Sequence, residues 1–503
     1  MPLLVVLLAL TRSLPQSAPA GIDSRIFAGK AAGEPASFLV VLSDQADLSG
    51  AAAIPDRTDR RRFVYETLRD HAEASQAPLR QRLRAAGVRF RPHFLVNLIE
   101  VEGERGLALE LALRDDVAFL AANRGAPLRR PASSPVSSPL AAAAAEPNIQ
   151  KIRAPELWSR GFTGQGVVVG IADAGVDWTH PALQSQYRGW NGSTAVHDYN
   201  WHDAIHDPLP GNPCGSNAPE PCDDDGHGTS VAGLTVGDDG AGNAIGVAPG
   251  ARWIGCRNMD RGSGTPARYT ECFEWFLAPT DAGGGDPRPD LGADVINNSW
   301  TCPESEGCTD PNILRSVVEN VRAAGVAVVL AAGNDGATCS TITEVPAIYE
   351  AGFSVGATDA ADQIAGFSSL GPVTVDGSNR LKPDLTAPGV NVRSASLSAG
   401  YKTNFSGTSA AAPHVAGAIA LLWSAVPGRV GDVDGTELAL EAGAVPLTLD
   451  LPCDEFSGLV VPNHIFGWGR LDVAGAYAQF LPPRLPRVLA DGRPDPRVVP
   501  PRP

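Results

Sequence analysis

Two patterns of apolar residues divide the chain. In the first part, Ser37–Ser43 is a continuous apolar run that reads as a buried strand. Between Asp59 and Ala86 apolar residues return at three- or four-residue multiples (Val64, Leu68, Ala72, Leu79 and Leu83), with Arg, Asp and Glu between them. That period predicts an amphipathic helix. A strand over His93–Val101, a short helix over Gly106–Leu113 and a strand over Val117–Ala122 follow. The order β-α-β-α-β, with room for a hairpin in the middle, describes a small α+β unit of roughly ninety residues.

From Ile149 onward the pattern changes. Val167–Ala172, Asp294–Asn297, Val326–Ala331 and Phe353–Ala357 are largely apolar without alternation, which predicts strands buried on both faces. Helices are predicted over Thr229–Thr235, Ala267–Leu277, Asn312–Ala324 and Ala410–Ala425. Strands alternating with helices predict an α/β domain with a mostly parallel sheet and helices on both faces. Between the two units, Ala126–Pro147 is dominated by Pro, Ser and five consecutive alanines and reads as a linker open to proteolysis. Leu481–Pro503 is a Pro- and Arg-rich tail, expected to be extended or disordered. The expected organisation is therefore a leader over 1–20, the α+β unit over 21–125, the linker over 126–147, the α/β domain over 148–480 and the tail over 481–503.

Composition narrows the function classes. The 503 residues carry a net charge of −16, which argues against nucleic acid or an anionic membrane as partner. Leu3–Leu10 is an apolar run of signal-core length, and Ala18-Pro19-Ala20 offers a small-x-small cleavage site, so export is expected. No other uninterrupted run approaches the roughly 20 apolar residues that span a bilayer. All eight cysteines lie at or beyond Cys214. An even count confined to the α/β domain predicts disulfides there, and the absence of Cys-x-x-Cys spacing argues against zinc.

Four short segments carry chemistry. Asp173 ends an apolar strand before a glycine turn, where open α/β sheets place their sites, although an aspartate there can also merely cap the turn. His227 stands between Gly226 and Gly228 at a predicted helix start. Asn334 follows a strand within a Gly-flanked turn, so its amide either serves an anion or favours a left-handed backbone. Ser409 follows Gly407-Thr408 and precedes three alanines, Pro413 and an apolar run, at the head of a predicted buried helix. There it is either an exposed nucleophile or only a helix cap.

Together, the order Asp173, His227, Asn334, Ser409 resembles the subtilisin-like (subtilase) serine peptidases over Ile149 to about Ala478. Phe405–Leu422 and Asn379–Asn391 carry the resemblance most specifically. The unit over Ser37–Asn123 is similar to that family's inhibitory propeptide, of ferredoxin-like α+β fold. The resemblance implies a secreted serine endopeptidase made as a self-processing precursor, acting through an acyl-enzyme. It makes Ser409 the nucleophile, His227 the general base and Asp173 its partner, with the Asn334 amide and Ser409 N–H holding the oxyanion. It also implies substrate subsites at Ser299, Trp300 and Thr301 on one side and Ala331, Ala332 and Gly333 on the other. Aligning Pro346 with the family's proline places Glu344 near the specificity-pocket floor. Counting on from Val117–Leu120 places self-cleavage after Arg129. A carboxylate in that pocket would select arginine or lysine before the cut. The alternatives are a broad apolar pocket with Glu344 in solvent and a catalytically silent subtilase-fold module that only binds peptides.

The implied partners are protein or peptide substrates and the chain's own propeptide, with a monomer expected. No cofactor is implied for catalysis. Ala182 and Gly240 stand where many relatives place calcium ligands, so that structural calcium site is unsupported. Asp238-Asp239 and Asp223–Asp225 supply hard oxygens that would bind calcium in another way or else form solvated acidic loops. The expected disulfides are Cys214–Cys222, Cys302–Cys308, Cys256–Cys272 and Cys339–Cys453.

Overall fold

The computed structural model describes residues 21–131, 145–453 and 458–482. The expected leader, most of the linker and the tail beyond residue 482 lie outside the described residues.

Strand Ala36–Leu42 leads into the helix Arg57–Ala86, which Asp56 caps by accepting from the Asp59 N–H and Gly87 ends in the left-handed conformation. The expected strand over His93–Val101 is in fact a hairpin, Phe90–His93 paired antiparallel with Leu98–Gly103. After the helix Arg105–Leu111 comes the strand Val117–Ala122. Spatially the strands run Val117–Ala122, Ala36–Leu42, Leu98–Gly103, Phe90–His93, with Gly21–Ile22 added parallel at the outer edge. This is the ferredoxin-like order.

The large sheet has seven parallel strands, in the order Leu385–Pro388, Phe353–Thr358, Ala327–Ala331, Val295–Asn298, Val168–Asp173, Arg252–Arg257, Trp201–Asp203. Burial on both faces explains the unbroken apolar runs. Val329 and Ala331 pack into one core with the helices His227–Val236 and Thr408–Ala425. Val328 and Leu330 pack into the other with Pro266–Leu277 and Arg315–Ala323. Sequence order reverses across Val168–Asp173, since later strands lie on both sides of it. Asp173 is therefore at the carboxyl end of the strand at the switch point, where such sheets open a crevice.

The small unit docks on that second core. Phe38, Val40 and Leu42 face its own interior with Leu79, Leu83, Ile99 and Val101. Leu39 and Val41 point the other way and join the core of the large domain, together with Tyr65, Leu68, Leu95 and Leu98. Polar contacts fix the dock. Glu274 accepts from the Leu95 N–H at 2.8 Å and faces His93 Nδ1 at 3.0 Å. Asp294 Oδ1 accepts from Arg57 at 2.5 Å and from buried Arg61 at 3.3 Å.

All four expected disulfides are present, Cys214–Cys222, Cys256–Cys272, Cys302–Cys308 and Cys339–Cys453, and no described cysteine is free. No helix among the described residues is long and apolar enough to cross a membrane.

Candidate active site

Strand ends and helix starts bring the four candidate residues to one cleft. Asp173 closes its strand fully buried, its Oδ1 accepting from the Ala174 N–H at 2.8 Å. His227 opens its helix, and its Nδ1 lies 2.8 Å from Asp173 Oδ1 and 3.1 Å from Oδ2. The flanking glycines have separate reasons. Gly226 is left-handed at φ +84°, and a Cβ on Gly228 would lie 2.0 Å from the Gly175 carbonyl oxygen. With one ring nitrogen committed to a buried carboxylate, the other is left for a proton in transit. Phe405 covers the imidazole edge-to-face at 5.5 Å.

Ser409 is the second residue of the helix Thr408–Ala425, entered through Gly407 at φ +143°. Its hydroxyl donates to the Ser299 carbonyl at 2.8 Å, and the Ser299 hydroxyl donates back to the Ser409 carbonyl at 3.0 Å. Asn334 is held in one orientation. Its Oδ1 accepts from the Thr408 N–H at 2.9 Å and the Thr408 hydroxyl at 3.1 Å, which turns Nδ2 into the cleft. There Nδ2 donates at 3.3 Å to the carbonyl oxygen of Arg129.

That contact shows what fills the cleft. Ala126–Pro127, expected as the start of a linker, pairs antiparallel with Ser263–Gly264, and the Leu128 N–H donates to the Gly262 carbonyl at 2.6 Å. The chain then passes the candidate residues, with Leu128–Pro131 lining the cavities beside Asn334, His227 and Ser409. Leu128 and Arg129 are lined by Trp300, Thr301, Ala331, Gly333, Asn334 and Glu344. The side chains of two expected subsite residues do not line this cavity, although the Ser299 carbonyl touches the Ser409 hydroxyl. Ser299 is fully buried and its contacts are to Ser409 and to Asn297. Ala332 is buried, its N–H donating to Val355 in the sheet. Both stand one residue past the end of a strand, at Asn298 and Ala331 respectively, where the chain is still held by the core.

Glu344 is not in solvent. Its side chain is 10% exposed, and Oε1 lies 3.2 Å from the Arg129 guanidinium. Burial pushes its carboxyl above the usual carboxylate range, with Asp335 adding to the rise, while the Thr301 hydrogen bond and Arg129 oppose it. Asp335 also pairs with Arg129. The Arg129 side chain nevertheless remains 56% exposed, so its pocket is shallow.

Sequence reasoning missed three carboxylates here. Asp335 was hidden in the Asn334 turn. Glu306 is buried and accepts from the Tyr269 hydroxyl at 2.9 Å, facing the backbone N–H groups of Gly264 and Ala126; burial holds its carboxyl well above the usual range. Asp225 belongs to a run expected to be solvated. Instead Asp223 accepts from the N–H groups of Asp225, Gly226 and Thr229, Asp224 pairs with buried Arg257 at 3.1 Å, and Asp225 pairs with Arg130. Asp239 is likewise committed to Asn243, the Ala241 N–H and Tyr401. Among the described residues no group of three or more His, Cys, Asp or Glu is arranged to hold a metal ion.

Comparison with known proteins gives the same picture. The family model described as the subtilase family matches residues 164–469. Bacillopeptidase F of Bacillus subtilis (strain 168) is 38% identical over 338 residues, covering 65% of this chain and 22% of that protein. Subtilisin NAT of Bacillus subtilis subsp. natto is 34% identical over 281 residues, covering 56% of this chain and 61% of that protein. A subtilisin of Bacillus pumilus is 34% identical over 281 residues, covering 56% and 84%. The chain thus spans less than two thirds of the first two relatives. The match takes in the seven-stranded sheet and all four candidate residues, so this chain belongs to the subtilase family.

Proposed function

We propose that the chain is a secreted serine endopeptidase made as a self-processing precursor whose first substrate is its own Arg129–Arg130 bond. The observation that carries the reading is the pose of Arg129. Its carbonyl oxygen accepts from Asn334, and its guanidinium meets Glu344 and Asp335. A peptide held at both its reacting carbonyl and its side chain is bound as a substrate is bound.

Ser409 Oγ attacks the Arg129 carbonyl carbon, and His227 Nε2 takes the hydroxyl proton. To do so the hydroxyl must leave the Ser299 carbonyl, a rotation about one side-chain bond. Asp173 keeps the proton on His227 Nδ1 and stabilises the imidazolium. Asn334 Nδ2 and the Ser409 N–H receive the oxyanion. The imidazolium then protonates the departing Arg130 nitrogen, and water, deprotonated by His227, releases Arg129 from the acyl-enzyme. No step calls for a cofactor.

Until it is cut and leaves, the small unit occupies the cleft through Ala126–Arg129, so it acts as an inhibitor. Four disulfides in the large domain suit an oxidising destination, which supports export. The test is expression of wild type and Ser409→Ala in a protease-free host. Wild type should yield a new amino terminus at Arg130, and Ser409→Ala an uncut precursor. Maturation of the Ser409→Ala protein would overturn the self-processing reading.

A further inference from the structure

We propose that the cleft recognises basic side chains on both sides of the bond it cuts, with Asp225 as the subsite for the residue that follows it. This deepens the reading above and rests on it. The guanidinium of Arg130 pairs with Asp225 in a cavity shared with His227 and Ser409, separate from the one lined by Glu344 and Asp335. The Asp225 side chain is only 12% exposed, against 47% for Arg130. It is a fixed part of the wall. Its Oδ1 accepts from the His227 N–H at 3.2 Å, and its own N–H donates to Asp223 at 3.0 Å. A carboxylate tied to the backbone of the candidate base needs no reorganisation to meet an incoming cation.

One group opposes the assignment. Lys402 lines the same small cavity and stands over the Phe405 ring at 4.7 Å. Its charge disfavours a cation nearby, and burial together with Arg130 pushes its amine below the ordinary range. Asp225 prevails in the geometry because it contacts the guanidinium directly.

The sequence also fixes the register. With two adjacent arginines the peptide could slide by one residue, placing Arg130 in the Glu344 pocket. The nitrogen to be released would then be that of Pro131, which lacks an N–H and carries a ring. Pro131 therefore keeps Arg129 before the cut and Arg130 after it.

The test uses the mature enzyme and peptides sharing Ala-Pro-Leu-Arg before the cut and differing only in the next residue: Arg, Ser or Glu. Wild type should show kcat/KM about fivefold higher for Arg than for Ser, with Glu lowest. In Asp225→Asn, which keeps an oxygen for the His227 N–H, the ratio of Arg to Ser should fall to about one. Wild type cutting Ser as fast as Arg overturns the proposal, as does a preference for Glu, which would make Lys402 the governing group. So does a gain from Arg in place of Leu two residues before the cut that disappears in Asp225→Asn, since Asp225 would then serve that position. If Asp225→Asn does not fold, the wild-type series and the rate of self-cleavage of Arg130→Ser decide. A separate pair with Gln or Arg before the cut tests the underlying reading. Equal rates there sink the arginine pocket whatever happens at Asp225.

Discussion

Thr301 donates its hydroxyl to Glu344 Oε2 at 2.5 Å, which leaves the other carboxylate oxygen to Arg129. Selectivity for arginine should therefore depend on Glu344 being ionised. Because Arg129 is half exposed, Glu344→Gln should cost about 1.5 kcal/mol, roughly tenfold in kcat/KM for arginine substrates, with little change for leucine. The Glu344 carboxyl is raised above the usual range, so activity on arginine substrates should fall as pH drops through that raised value, earlier than an ordinary carboxylate would dictate. Peptides differing only before the cut, assayed from pH 8 to pH 4, check both points. Phe or Leu cut faster than Arg and Lys by the wild type would end the idea.

Asn334→Ala should fold, because its Oδ1 contacts with Thr408 lie at the edge of a well-packed helix start. It should lower kcat with little effect on KM, by about 3 kcal/mol of transition-state stabilisation. Self-cleavage of the precursor should slow in step. Single-turnover rates measure this, and an unchanged kcat would remove Asn334 from the oxyanion site.

Asp294→Ala should loosen the docked small unit. Arg61 is buried, and burial holds its guanidinium below the usual range while Asp294 opposes the fall. Removing the carboxylate strands that cation, a loss of about 3 kcal/mol. In the uncut Ser409→Ala precursor this appears as a lower unfolding temperature. A double variant that also carries Arg61→Met should recover part of the loss, and no recovery would rule out the stranded charge as its cause.

His414 is fully buried between the Ala410 carbonyl at 2.8 Å and Asn148 at 2.8 Å, and burial pushes its pKa down to about 4. The folded state therefore holds a neutral imidazole while the unfolded chain takes up a proton near pH 6.5. Stability from this group is complete above pH 6.5 and is lost as pH falls towards 4, by about 3 kcal/mol. The slope of unfolding free energy against pH should be shallower over that window in His414→Gln than in wild type. Parallel slopes would show that His414 does not drive acid unfolding.

The disulfides should differ in worth. Cys339–Cys453 spans 114 residues and Cys302–Cys308 spans 6. In the chain-entropy account, removing the first by paired serine substitution costs about 4–5 kcal/mol and the second about 2 kcal/mol. Denaturant titrations of the two double variants give the ranking. A reversed order would place the effect in the folded state.

The sequence exposed the parts of the fold that burial makes monotonous and hid those that depend on pairing. Val326–Ala331 is legible because both faces are covered. Trp201–Asp203 is three residues at a sheet edge, and Arg252–Arg257 begins and ends on arginine. Arg257 is buried only because Asp203 and Asp224 come to it from distant segments. Arg61 looked like the wet side of a helix for the same reason. Glu344 could be counted out from Pro346. The acidic run over Asp223–Asp225 could not be read from composition, because its partners are a helix start, a buried arginine and Arg130.

The strand Ala36–Leu42 has no side that water normally touches: Phe38, Val40 and Leu42 serve one core and Leu39 and Val41 another. Were the small unit to depart after the proposed cut at Arg129, Leu39 and Val41, with Tyr65, Leu68 and Leu95, would lose their cover. An exposed apolar sheet face of this kind invites aggregation and local unfolding. If the large domain is the active endopeptidase proposed above, a small unit that unfolds beside it would be open to cleavage before it rebinds. On the proposed reading, the same dock that would silence the precursor would also make its release irreversible, a fuse that burns once.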